Sequence, residues 1–157
     1  MAAPRRFLAL GDSYTVGEGT TPAGRWPERL AARLRAAGTD IGDPEIIART
    51  GWTTDELEAA IDAAAPRGPF ALATLLIGVN NQYRGRGLDE YRAQFAALLD
   101  RAIALAGGAP GRVLVPSIPD WGVSPFARQD PRGAARIAAE IDAFNAAASA
   151  ACAACGG

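Results

Sequence analysis

Ser13 stands where an α/β protein would place a nucleophile. It follows an apolar run at residues 6–10 and a tight turn that contains Gly11 and Asp12. The run predicts a first β-strand, and ligands bind outside the carboxyl ends of parallel strands, so this serine is placed to attack a substrate. A serine hydroxyl has a high pKa and needs a base to take its proton. Histidine is the usual base, and the 157 residues include none.

Two further segments could supply hydrogen-bond donors at the same edge of a parallel sheet. Gly51 follows a short predicted strand at residues 45–48, and Asn80 follows the apolar run 70–77. The N–H groups of Ser13 and Gly51 and the Asn80 amide could point at one carbonyl oxygen, where negative charge develops during acyl transfer. Alone, each residue has a commoner role, as a helix cap, a turn glycine or an Asx turn. Their combination at successive strand ends favours an acyl-transfer site.

Apolar periodicity assigns these candidate residues to alternating strands and helices. Strands are predicted at residues 5–10, 45–48, 70–77 and 112–117, and helices at residues 26–37, 54–64, 88–106 and 131–155. Thr53 and Glu56 fit a capping box at the start of the second helix. The alternation predicts an α/β fold, with a parallel sheet and helices on both faces. Residues 116–133, rich in Pro and Gly, are predicted to form a long loop that carries function.

Length and composition favour a single globular domain over residues 1–157. Apolar residues make up 49% of the chain and charged residues 21%, which is typical of a folded protein. The net charge of −1 gives no electrostatic case for nucleic acid or a membrane surface as a partner. No apolar stretch could span a bilayer and no signal peptide is visible, so a cytoplasmic protein is expected. No cofactor or metal is expected, since Cys152 and Cys155 lack further ligands.

Three segments of the chain resemble the first sequence blocks of the SGNH (GDSL-type) hydrolases. They are Gly11-Asp12-Ser13-Tyr14, Gly51 and Gly78-Val79-Asn80-Asn81. The resemblance covers about residues 6–120 and implies a flavodoxin-like three-layer α/β/α sandwich with five parallel strands. It also implies a small-molecule carboxylic ester as the substrate and Ser13 as the nucleophile that forms an acyl-serine. The Ser13 N–H, the Gly51 N–H and the Asn80 side chain would form the oxyanion hole. The third block usually ends in Asn-Asp, so Asn-Asn indicates a subgroup with Gly-Val-Asn-Asn.

The last block of that family, Asp-x-x-His, has no counterpart in this sequence. Asp120 and Asp130 lie in the predicted long loop, and neither is followed by a histidine. The last predicted helix leads to Gly156 rather than to a fifth strand. We therefore expect four strands, a missing fifth strand and a domain that is incomplete at its C-terminus, with very weak activity. A natural relative that binds an acyl or carbohydrate ligand without turnover is the alternative. A phosphate-binding role for residues 11–19 is disfavoured, because the glycine-rich phosphate-loop motif and its lysine are absent.

Four residues near the predicted rim are candidates for substrate contacts: Trp52, Asn81, Tyr83 and Trp121. The aromatic members could line an acyl or sugar pocket, or they could be partly buried anchors of their loops. A missing fifth strand would leave the fourth strand as an open edge. Open edges favour pairing with another chain, so self-association through this edge is also expected.

Overall fold

The computed structural model describes residues 3–156 and contains a parallel sheet. The strands are β1 Arg5–Gly11, β2 Ile41–Ala48, β3 Leu72–Leu76 and β4 Val113–Leu114. Within the described residues the sheet has four strands in the order β2-β1-β3-β4, with every pairing parallel. This is the order of the first four strands of a flavodoxin-like sheet. The predicted α/β fold is confirmed.

Six α-helices connect or follow these strands in the described part of the chain. They are α1 Ser13–Val16, α2 Trp26–Ala36, α3 Thr54–Ala64, α4 Val79–Tyr83, α5 Leu88–Leu105 and α6 Ala134–Ala154. Short 3-10 turns lie at Pro22–Gly24, Pro110–Arg112, Trp121–Val123 and Pro125–Gln129. No helix within residues 3–156 combines the length and apolar character needed to cross a membrane.

The side chains of β1 alternate between two apolar clusters, one on each face of the sheet. Phe7 and Ala9 pack with residues of α2, whereas Leu8 and Leu10 pack with residues of α3, α5 and α6. All four side chains are fully buried, as expected for a central parallel strand. The larger cluster therefore lies on the α3, α5 and α6 face, and it supports the carboxyl end of β1.

The capping box predicted at the start of the second long helix is present at the start of α3. The Thr53 N–H donates to Glu56 Oε2 at 2.9 Å, which satisfies an N–H that the helix itself leaves without a partner. α5 also lies within one residue of its predicted bounds. Both elements are specified by local sequence signals, the cap for α3 and the apolar periodicity for α5.

Several element bounds differ from those predicted, for local reasons. β2 begins at Ile41, because it is an edge strand and Pro44 does not need to donate a ladder hydrogen bond there. β4 is only two residues long, since a 3-10 turn precedes it and Pro116 follows soon after it. α6 begins at Ala134 rather than at residue 131, because Asp130 Oδ1 instead accepts from the Arg132 N–H in a turn.

Candidate active site

The carboxyl ends of β1, β2 and β3 form one rim of the sheet. Gly11 at the end of β1 pairs with Ala48 of β2 on one side and with the last residue of β3 on the other. Ser13, Gly51 and Asn80 each follow one of these strand ends by a few residues. The parallel register therefore brings the three segments to one edge.

Ser13 begins the short helix α1, directly after the end of β1. Asp12 caps this helix, and its Oδ1 accepts a hydrogen bond from the Tyr14 N–H at 3.0 Å. Gly11 is required by close packing, because a Cβ at this position would lie 2.6 Å from the Leu76 carbonyl oxygen. Ser13 is partly exposed and lines a pocket, so a small molecule can reach it.

Asn80 lies in α4, the helix that follows β3, and a contact with the neighbouring turn orients its side chain. Asn80 Nδ2 donates to the Trp52 carbonyl oxygen at 2.9 Å. A side-chain amide carries two N–H groups, so the second remains to donate to an oxygen bound beside Ser13. Trp52 itself does not line the pocket; its side chain is partly buried against the larger apolar cluster. The backbone of Trp52, rather than its indole, is the part that serves the site.

Gly51 lies in the turn between β2 and α3, with a φ of +89°. Most residues avoid this left-handed conformation, whereas glycine adopts it freely. The Gly51 carbonyl oxygen accepts from Arg84 Nη2 at 2.6 Å, and the same nitrogen lies 3.5 Å from Glu56 Oε2. These contacts hold the turn against α4 and keep Gly51 near Asn80.

Asn81 is fully buried, and both ends of its amide bond to Thr54 at the start of α3. Asn81 Oδ1 accepts from the Thr54 N–H at 3.1 Å, and Nδ2 donates to Thr54 Oγ1 at 2.8 Å. The side chain does not line the pocket, so the expected substrate contact is corrected. Asn81 instead ties α4 to α3 and thereby holds the neighbouring Asn80 in position.

A pocket of about 270 Å³ opens beside Ser13. Seven side chains line it, and all except those of Ser13 and Asn80 are largely apolar, although two of them carry a phenolic hydroxyl: Ser13, Asn80, Tyr14, Val79, Tyr83, Trp121 and Phe126. The structure thus brings Tyr83 and Trp121, both predicted from the sequence, to the same pocket as Ser13. Sequence reasoning did not find Phe126, although its position in the long loop after β4 was an available signal.

Three rings form one side of this pocket, and we call Tyr83, Trp121 and Phe126 the aromatic wall. The centroid of the Trp121 ring lies 5.4 Å from the centroid of the Tyr83 ring and 5.8 Å from that of the Phe126 ring. Trp121 Nε1 donates to Gln82 Oε1 at 2.7 Å. The Arg132 guanidinium lies 5.2 Å from the Trp121 ring and 5.4 Å from the Tyr83 ring, within the range of cation–π attraction. These contacts fasten the loop after β4 to α4.

Comparison with known protein families gives a match over most of the chain. A model of the GDSL-like Lipase/Acylhydrolase family matches residues 9–157, which include every residue of the candidate site. The chain belongs to this family. The family-level resemblance noted in the sequence is therefore confirmed.

Solved structures with the same fold include TesA and two esterases. TesA shares 22% identity, with a TM-score of 0.74 over 97% of this chain and 75% of TesA. The psychrotrophic esterase EstA from Pseudoalteromonas sp. shares 18%, with a TM-score of 0.70 over 97% of this chain and 74% of EstA. Axe2, an acetylxylan esterase from Geobacillus stearothermophilus, shares 18%, with a TM-score of 0.67 over 99% and 76% of the two chains. No curated protein matches significantly.

Within this GDSL-like site, Asp12 is an ionisable group directly next to Ser13. Asp12 is fully buried, and its Oδ2 has no hydrogen-bond partner among the described residues. Burial raises the pKa of its carboxyl from 3.8 to about 7, against the opposing effect of the Tyr14 N–H bond. Burial also raises the pKa of Tyr14, with smaller contributions from the charges of Asp12 and Asp120. Burial therefore disfavours negative charge on the side chains of Asp12 and Tyr14.

The carboxylate of Asp120 is engaged away from Ser13. Its Oδ1 accepts from the Gly122 N–H at 2.8 Å and caps the 3-10 turn that carries Trp121, and Asp120 does not line the pocket. No cluster of three or more His, Cys, Asp or Glu side chains suited to a metal ion occurs in the range 3–156. Asp120 is therefore engaged in its own loop and does not face Ser13 in the GDSL-like site.

Proposed function

We propose that this protein is a serine ester hydrolase in which Ser13 attacks the carbonyl carbon of a carboxylic ester. The main support is the position of Asn80, whose amide is oriented by the Trp52 carbonyl at 2.9 Å and lines the same pocket as Ser13. The Gly51 turn on the adjacent strand end and the Ser13 N–H at the start of α1 add two further donors. Donors that are fixed before the reaction stabilise developing charge effectively, because they need no reorganisation.

The reaction proceeds in two halves. Ser13 Oγ forms a bond to the carbonyl carbon, its proton passes to a base, and the carbonyl oxygen becomes negative opposite Asn80 and Gly51. The ester C–O bond then breaks, and the alcohol leaves with a proton, so that an acyl-serine remains. Water repeats the attack on the acyl-serine and releases the carboxylic acid, which regenerates the Ser13 hydroxyl.

The missing base sets the expected rate. The 157 residues contain no histidine, and we propose that solvent accepts the Ser13 proton in its place. Removing the base of a comparable triad costs on the order of 10⁶ in kcat, while the oxyanion donors and binding retain some acceleration. We therefore propose very weak turnover by the 157-residue chain.

Rescue by an external base tests this function. Wild-type protein should hydrolyse p-nitrophenyl acetate slowly, and added imidazole should raise the protein-dependent rate by supplying the base. Ser13→Ala should show neither the basal rate nor the imidazole-dependent increase, and it also corrects for hydrolysis by imidazole alone. Equal imidazole-dependent rates in the wild type and Ser13→Ala would contradict the proposal, as would rapid turnover without imidazole.

A binding protein without turnover is the second candidate, and the lack of histidine favours it. In that case the pocket would hold an acyl or carbohydrate ligand, while Ser13 would act only as a hydrogen-bonding group. Imidazole rescue separates the two candidates, because a binding protein gives no Ser13-dependent product.

We also propose that the outer edge of β4 pairs with a second copy of this chain. Leu114 in this two-residue strand is half exposed, and an apolar cavity of about 260 Å³ borders it, lined in part by Leu99, Ile103 and Cys152. Light scattering should show a dimer that Leu114→Arg dissociates. Val123→Arg, at an exposed apolar position away from this edge, should remain dimeric. A monodisperse monomer for the wild type would contradict the proposal.

A further inference from the structure

We infer that the pocket beside Ser13 takes the apolar acyl group of the ester and that Phe126 determines this preference. The inference rests on the proposed function and specifies its substrate class. It depends on three observations: the apolar character of the lining, the pairing of the nearby polar groups, and the separation of this pocket from a polar groove.

The lining leaves little for a carbohydrate to bind. Apart from Ser13, Asn80 and the phenolic hydroxyls of Tyr14 and Tyr83, the pocket presents Val79 and aromatic rings. Sugar recognition needs hydrogen-bonding groups for the hydroxyls, and specific polar recognition loses affinity when such groups go unpaired. An alkyl chain places no such demand on the pocket, and it gains from burial against the rings.

The polar side chains next to the aromatic wall are already paired with one another. Gln82 accepts from Trp121 Nε1 at 2.7 Å and donates to Glu140 Oε2 at 2.7 Å. Arg132 makes a two-point contact with Asp130, at 2.9 Å and 2.8 Å. These groups serve to hold the wall, so they are not available to a ligand hydroxyl.

The loop that carries Trp121 and Phe126 is fastened to α6. The Ile118 N–H donates to Asn145 Oδ1 at 2.7 Å, and Asn145 Nδ2 donates to the Ile118 carbonyl at 2.9 Å, which fastens the loop to α6. Tyr83 belongs to α4, the same helix as Asn80. Tyr83 thus joins the wall to the helix that carries Asn80, and a preorganised pocket loses less entropy on binding.

Tyr83 and Phe126 also divide the apolar pocket from a second, more polar groove. That groove has a volume of about 700 Å³, and Arg128, Gln129 and Asp130 contribute to its lining together with the two rings. An ester has an acyl part and an alcohol part, and the two sides of the Phe126 ring match an apolar and a polar part. Phe126 is 72% exposed, so its ring has surface to lose when an alkyl chain binds.

Ligand binding without turnover tests this inference. Hexanamide is a neutral, stable analogue of a hexanoyl ester, while acetamide and methyl β-xyloside represent a short acyl group and a sugar. NMR titration of the wild type, followed at the Trp121 indole N–H, should show hexanamide binding more tightly than either of the other two. Phe126→Ala should weaken hexanamide binding by about tenfold, from the lost contact with the ring, and Phe126→Leu should restore part of it.

Val123→Ala is the matched control for the exposed loop position. Val123 is 82% exposed in the same loop and does not line the pocket, so its removal should leave hexanamide affinity unchanged. The inference is overturned if the xyloside binds as tightly as hexanamide, if hexanamide does not bind, or if Phe126→Ala has no effect. Failure of imidazole rescue with intact hexanamide selectivity would instead reject the hydrolase function and leave the acyl pocket standing.

Discussion

Asp12→Asn is expected to raise the free energy of unfolding at pH 8 by up to about 4 kcal/mol. The reason is the shift of the Asp12 carboxyl pKa from 3.8 to about 7, caused by its complete burial, since each pKa unit corresponds to about 1.4 kcal/mol. Above pH 7 the native state must hold a buried carboxylate whose Oδ2 lacks a described partner. Asparagine keeps an oxygen to accept from the Tyr14 N–H and carries no charge.

The pH dependence of this effect has a definite sign. Because the folded pKa of Asp12 lies above the unfolded value, the native state binds the extra proton between about pH 4 and pH 7. The stability of the wild type should therefore fall as pH rises through this window and become level above it. Asp12→Asn should remove that fall. Urea titrations of both proteins at several pH values provide the measurement.

Asp130 supplies a control with the opposite sign. Hydrogen bonds from Arg132 lower the pKa of its carboxyl from 3.8 to about 2, so its contribution is present above pH 4 and is lost as pH falls towards 2. Asp130→Asn should change the acid limb of the stability profile and leave the fall between pH 4 and pH 7. A wild-type profile that is flat across pH 4–7 would show that Asp12 stays charged at no cost.

Gly78→Ala is expected to destabilise the fold by about 4 kcal/mol, the sum of a clash and a strained backbone. Gly78 caps α4 with a φ of +132°, and a Cβ there would lie 2.6 Å from Tyr91 Cε2 and 2.9 Å from Ile118 Cδ1. Tyr91 cannot easily yield, since it is fully buried, donates to the Ile77 carbonyl at 3.0 Å and packs against Phe144. Chemical denaturation should register the loss.

Gly19→Ala separates the clash from the strain. Gly19 has a φ of +78°, and no atom lies within 4 Å of a Cβ built there, so only the left-handed conformation should cost energy, about 1–2 kcal/mol. Equal losses from Gly19→Ala and Gly78→Ala would show that the packing of Tyr91 against the start of α4 is not tight. A larger loss at Gly78 links the stability of the core directly to the helix that carries Asn80.

The strands and long helices could be predicted because their signals are local. The apolar runs that form β1 and β3, and the capping box of Thr53 and Glu56, act within a few residues of chain. The helix α4 escaped prediction because it has only five residues, three of them polar amides, so it shows no apolar periodicity. The apolar pattern predicted a longer β4 than the two residues observed. The prolines on either side of it, rather than the apolar pattern, limit how far it pairs with β3.

Among the site residues, too, those positioned by local signals could be predicted, and those positioned by distant contacts could not. Ser13, Gly51 and Asn80 follow strands, so strand prediction was enough to place their segments at one rim. The environments of Asp12, Asn81 and Phe126 depend on contacts from distant parts of the chain, and sequence reasoning missed them. Asn81 looked like a rim residue, but its amide bonds to Thr54, which lies 27 positions earlier.

Covalent acylation of Ser13 is the most direct test of the proposed chemistry. Without a histidine in the 157 residues, both the formation and the hydrolysis of the acyl-serine should be slow unless external base is added. Removing imidazole after reaction with p-nitrophenyl butyrate should therefore trap the acyl group. Mass spectrometry should then find one butyryl group on the peptide that contains Ser13. The label should be absent in Ser13→Ala and reduced in Asn80→Ala. Equal labelling of Ser13→Ala, or butyryl groups only at other residues, would contradict the account.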